Sequence, residues 1–131
     1  MQREKTKEFS HGDVIASLFA LLPTPFPNDP EKIHTTIRSL QKEEKYKDLL
    51  GDFEFIDYYP YPYSPLLGRI LNMLQESRLM ACLNPDYNMY VMEPASKKAI
   101  KRDILGKKLK EQRSKLEEIA SELKQAVNAN R

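Results

Sequence analysis

Apolar residues recur at helical spacing through Leu66, Leu67, Ile70, Leu71, Met73 and Leu74, which marks a wide apolar stripe along one helix. Ser64 can cap that helix, and Pro65 suits its first turn, where an amide hydrogen would be unpaired anyway. The pattern then turns extended without a linker. Leu79–Leu83 and Asn88–Met92 are short β-prone runs, split by Asn84-Pro85-Asp86-Tyr87, a favoured turn composition. Ser64–Met92 is therefore predicted to be a helix running into a tight β-hairpin.

Two further helices are predicted upstream. The first starts at Ser10, with Asp13 three residues on in a capping-box position. It carries Val14, Ile15, Leu18, Phe19, Leu21 and Leu22 and stops at Pro23. Pro23–Asn28 reads as a stiff extended connector. Asp29-Pro30-Glu31 opens the second helix with a capping acid, a proline and an acid near the positive dipole end. That helix runs to Lys42 with Ile33, Ile37 and Leu40 inward, and a short turn at Tyr46–Leu50 closes on Gly51. Phe53–Tyr58 reads as a short strand. The alternating prolines of Tyr58–Pro65 exclude a helix and make an extended arm.

Beyond Pro94 the chain is predicted to be helical as far as Val127. Leu105, Leu109, Gln112, Leu116, Ile119, Leu123 and Ala126 alternate four and three apart, a heptad seam. Gly106 weakens its first turns by about 1 kcal/mol relative to Ala. The helix is otherwise polar and needs a cover for the seam, either a second copy or its own body. Self-association through Leu105, Leu109, Leu116, Ile119 and Leu123 is the expectation, giving a homodimer.

Charge divides the same way. The net charge of +2 over 131 residues conceals eleven Lys/Arg against five Asp/Glu in Ala95–Arg131, beside an acidic Met1–Pro94. The expected organisation is a disordered segment 1–8, a body 9–94 and a long basic helix 95–131. One cysteine, Cys82, permits no internal disulfide, and the charged Met1–Glu8 has no apolar core for a signal peptide. No apolar run approaches the ~20 residues of a bilayer span. A cytoplasmic protein without a membrane partner is expected.

In element order, Ser10–Met92 resembles winged-helix proteins: two helices, a third helix, then a hairpin wing. The long terminal helix is similar in placement to the dimerising helix of PadR-like transcriptional regulators. One departure is that about twenty residues, Glu43–Pro62, separate the second and third helices, where a helix-turn-helix has a short turn. Either Tyr46–Leu50 is the true second helix, or the chain is a divergent relative that does not bind DNA.

The resemblance implies that Ser64–Arg78 is a recognition helix with Arg69, Asn72, Gln75, Glu76 and Arg78 outward. Arg, Asn and Gln can bond base edges, whereas Glu76 repels phosphate. The wing, Asn84–Asn88, carries Asp86 and no cation. The tail residues Lys97, Lys98, Lys101 and Arg102 begin a basic run that attracts phosphate, unless it is the solvated flank of a coiled coil. Tyr58, Tyr59, Tyr61 and Tyr63 pack the proline arm over the core or stack on a partner.

Catalytic chemistry has few candidates. His11 and His34 have no metal-ligand spacing, and His34 reads as a surface or half-buried structural residue. Cys82, in an apolar run, reads as a buried inert thiol. Gly12, Gly51, Gly68 and Gly106 are scattered and form no phosphate-binding loop. The expectation is an α+β, mostly helical, winged-helix-like protein without cofactor or metal. Its expected role is to bind double-stranded DNA as a non-catalytic regulator. The alternative is a protein-interaction adaptor whose tail docks a partner helix through Leu109, Leu116, Ile119 and Leu123.

Overall fold

The computed structural model describes residues 9–57, 60–83 and 88–128. The fold is α+β and mostly helical, with a small three-stranded antiparallel sheet and a long C-terminal helical region. The expected disordered segment 1–8, Tyr58, Tyr59 and the hairpin turn 84–87 lie outside the described residues.

Helix α1, His11–Leu21, is the centre of the molecule. Ser10 and Asp13 form a complete capping box, and Val14 to Ala20 are buried without a break. A helix buried on every side is a core helix rather than a surface one. The helices Pro65–Glu76, Pro94–Ile100 and Arg113–Asn128 all pack on it. Helix α2, Pro30–Gln41, starts where Asp29 accepts from the Lys32 amide, and buries Ile33, His34, Ile37 and Leu40. Helix α4, Pro65–Glu76, starts where Ser64 accepts from the Leu67 amide. Its stripe is narrower than the sequence suggests. Leu67, Ile70, Leu71 and Leu74 are buried, whereas Met73 is 53% exposed.

The connector after α1 does more than span a gap. Phe26–Pro27 is strand β1, which pairs with β3 (Met89–Val91), and β3 pairs with β2 (Ala81–Leu83) in the order β1-β3-β2. Tyr90 faces Phe26 on one side and Cys82 on the other. Pro27 lacks an amide hydrogen and is tolerated because β1 is an edge strand. Phe53–Tyr58 corrects the expectation of a strand. Its described part makes only the single bridge Ile56↔Tyr63, because the flanking Pro60 and Pro62 have no donor to continue a ladder. Gln41 instead holds this segment, donating to the Leu50 and Phe53 carbonyls at 2.9 and 2.7 Å. Between them lie a 3-10 turn, Glu44–Tyr46, and α3, Lys47–Leu50, which bury Tyr46, Leu49 and Leu50.

The tail is helical from Pro94 to Asn128, as expected, but its winding changes along the way. It runs through α5 (Pro94–Ile100), a π-helical stretch Lys101–Lys108, a 3-10 turn Lys110–Gln112, and α6 (Arg113–Asn128). The i→i+5 winding takes nearly one residue more per turn than α, so Ile100, Leu105 and Leu109, five and four apart, reach one side. After Leu109 the α period returns and buries Leu116, Ile119, Ala120, Leu123 and Val127. Val127 takes the place expected of Ala126.

This corrects the assignment of the seam to a second copy. Leu105, Leu109, Leu116, Ile119 and Leu123 are each at most 2% exposed and belong to the same core as α1. Helix α6 lies against α1 and α2, so the chain's own body covers the stripe. The reason is local: α1 and α2 have more apolar surface than three short strands can bury. Docking α6 there removes it from water at about 25 cal/mol per Å².

Candidate functional site

A half-open groove lies between α2, α4 and the sheet, with a volume of about 530 Å³. Asn28, Pro30, His34, Tyr61, Tyr63, Gly68, Leu71, Asn72, Gln75, Cys82 and Tyr90 line it. Among the described residues the lining contains aromatic rings, carboxamides and a thiol, but no Lys, Arg, Asp or Glu.

The arrangement begins at His34, which the sequence placed at or near the surface. It is 1% exposed, and its Nδ1 accepts from the Ser64 amide at 3.0 Å, tying α2 to the N-terminus of α4. The Tyr63 ring stacks on the imidazole at 4.7 Å and 17°, with Tyr61 tilted 6.0 Å away. Burial lowers the His34 pKa to about 4, so the ring is neutral at pH 7. With Nδ1 acting as acceptor, the neutral ring carries its proton on Nε2.

Gly68 explains an otherwise costly choice in mid-helix. A Cβ there would stand 2.5 Å from Tyr63 Oη, so only glycine lets the phenol lie across α4. On the sheet side Tyr90 is 4% exposed, and burial pushes its phenol up to about 12. Asn28 Nδ2 donates to Cys82 Sγ at 3.4 Å. Cys82 is thus half-buried at the groove, not the enclosed thiol that its apolar run suggested.

The predicted reader residues divide between this groove and the surface. Asn72 and Gln75 line the groove; Gln75 is half-buried and donates to the Leu71 carbonyl at 3.2 Å. Arg69 is exposed on α4, and Arg78 is exposed beyond the helix at φ 68. The tail residues also separate. Lys97 is half-buried and donates to the Leu22 carbonyl at the end of α1 at 2.7 Å; burial and then Lys101 lower its pKa. Arg102 makes two bonds to Asp103, at 2.8 and 2.9 Å. Lys98 and Lys101 are exposed and make no ion pair among the described residues. Further along, Lys108 pairs with Asp13 and Arg113 with Glu117. Part of the basic run is therefore matched inside the chain.

A second polar cluster fastens α6. Tyr46 Oη donates to Glu118 at 2.8 Å, and Lys45 lies 3.5 Å from the same carboxylate. The Tyr46 hydrogen bond holds Glu118 below its ordinary pKa. His11 meets Asp52 at 3.3 Å and Phe53 edge-on. Among the described residues no three His, Cys, Asp or Glu side chains gather as a metal site. No described helix is long and apolar enough to cross a membrane.

The groove was largely illegible in the sequence, since its walls come from four separated segments. The signal that could have suggested it was Gly68 inside a strong helical pattern, beside a tyrosine-rich arm. Compared with protein-family models, curated proteins and solved structures, the chain matches none.

Proposed function

We propose that the chain is a non-catalytic, nucleic-acid-binding regulatory protein that meets double-stranded DNA with the exposed side of α4. The observation that carries this reading is the placement of Arg69 and Asn72. A guanidinium and a carboxamide three residues apart are neighbours on a helix surface, and they supply phosphate-pairing and base-reading chemistry together. The order α1, β1, α2, the four-residue α3, α4 and then the hairpin supports it, because α4, the helix before the hairpin, then stands where winged-helix proteins have the recognition helix. Arg78, Lys98 and Lys101 add exposed cations. The tail contributes less than its composition suggests, since Lys97, Arg102, Lys108 and Arg113 are engaged internally. A homodimer of this fold would use a surface other than the buried seam, and a cytoplasmic location accords with the reading.

Fluorescence anisotropy with random-sequence duplex DNA at several salt concentrations tests it. Tight binding at low salt, weakened more by Arg69→Ala with Arg78→Ala than by Lys98→Ala with Lys101→Ala, is expected. No binding at low salt would retire the reading. The uncharged groove favours a second one, an adaptor that takes a partner protein. Its complex would survive high salt, because such a contact is not screened.

A further inference from the structure

Two nearly buried residues that line the groove, His34 and Tyr90, each have a polar side-chain atom with no hydrogen-bond partner among the described residues. His34 is 1% exposed and its Nδ1 is occupied by Ser64, yet no described residue accepts from Nε2. Tyr90 is 4% exposed, and no described residue bonds its hydroxyl. Donors placed at an open space in this way are available to a ligand that enters it. Asn72, on the opposite wall, keeps both the donor and the acceptor of its carboxamide, and Gln75 keeps its Oε1 acceptor.

We infer that the groove between α2, α4 and the sheet is a binding site for a neutral nucleobase, held between the Tyr61/Tyr63 rings and the Asn72 and Gln75 carboxamides. The inference rests on the nucleic-acid reading above and deepens it, because Asn72 belongs to both. Three features select this ligand. Among the described residues the lining has no charge, so a phosphate or carboxylate would lose its hydration with nothing from them in return. Tyr61 and Tyr63 bring aromatic surface to the groove on which a base can stack, His34 covering one face of Tyr63. The polar groups alternate: the His34 Nε2–H donates, Gln75 Oε1 accepts, and Asn72 and Tyr90 can do both. A base edge carries donors and acceptors in that mixture, whereas a phenol or indole side chain has one polar atom and would leave most of them unpaired. The volume of about 530 Å³ admits a two-ring base with its sugar at the open side. Arg69, exposed on the neighbouring turn of α4, is placed for an attached phosphate.

The base can belong to a free nucleoside or to an unpaired strand, and the test distinguishes them. The full chain is titrated with adenosine, guanosine, cytidine and uridine, with a short single-stranded oligonucleotide, with its duplex, and with N-acetyltyrosinamide. Tyrosine fluorescence is the readout, since the chain has seven Tyr and no Trp. At least one nucleoside should bind, and Asn72→Ala, at an exposed position, should weaken it about tenfold with the circular dichroism unchanged. Gln75→Ala should act in the same direction. A strand that binds more tightly and is displaced by the nucleoside identifies the strand as the source; equal affinities identify the free nucleoside. The inference is overturned if no nucleoside binds, if Asn72→Ala changes nothing, or if N-acetyltyrosinamide binds equally well. Duplex binding that depends on Arg69, without nucleoside binding, would overturn the groove and leave the proposed function standing. Nucleoside binding with no affinity for any nucleic acid would do the reverse.

Discussion

Replacing Leu116 by alanine distinguishes a helix docked on its own body from one that waits for a second copy. Leu116 is 0% exposed and sits in the core that α6 shares with α1 and α2. Losing three buried carbons removes about 2 kcal/mol of transfer free energy at ~0.8 kcal/mol each. The incompletely filled cavity raises the total to about 3 kcal/mol, within the range for buried leucines. With a urea dependence of about 2 kcal/mol/M, the unfolding midpoint should fall by about 1.5 M. The matching drop in melting temperature for a chain of this size is about 10 °C. Ser114→Ala, exposed on the same helix, should stay within about 0.5 kcal/mol of wild type. Urea unfolding and size-exclusion chromatography are run on all three proteins. A large midpoint shift with unchanged elution supports the docked helix. An unchanged midpoint, with a shift to a smaller species, would refute it and return the seam to a subunit interface.

Other consequences are local. His34 is neutral in the fold with a pKa of about 4, against 6.5 when unfolded, so only the unfolded chain takes up its proton between those values. Its contribution is present above pH 6.5 and is lost as pH falls towards 4, by at most about 3 kcal/mol. Urea midpoints at pH 7, 5.5 and 4.5 should show that slope, and His34→Asn should flatten it; an identical slope in the variant would remove His34 as its source. Ser17 Oγ is buried without a partner among the described residues, so Ser17→Ala should stabilise by about 1 kcal/mol; a lower melting temperature would reveal an unseen bond. Lys97→Ala should destabilise by about 1–2 kcal/mol, because it uncovers the Leu22 carbonyl at the C-terminus of α1, whereas Lys98→Ala should not. Equal effects on thermal unfolding would argue against that contact.

Elements whose causes are local could be read directly from the residues. Ser10, Asp29 and Ser64 are caps with their hydrogen bonds three residues away, so the starts of α1, α2 and α4 were legible. Period and turn composition likewise determined the two hairpin strands. What depends on partners far along the chain was decided only in three dimensions. Phe26–Pro27 became a strand because β3 offered an edge. Phe53–Tyr58 was read as a strand, but proline-flanked residues could not extend the one bridge its described part makes. The spacing of Leu105, Leu109 and Leu116 fits a heptad, yet a heptad does not say what covers it. The apolar sides of α1 and α2, with a π-helical stretch to bring Leu105 and Leu109 round, made the cover internal. His34 was least legible of all. Its burial comes from Tyr63, far along the chain, and Tyr63 fits only because Gly68 has no side chain.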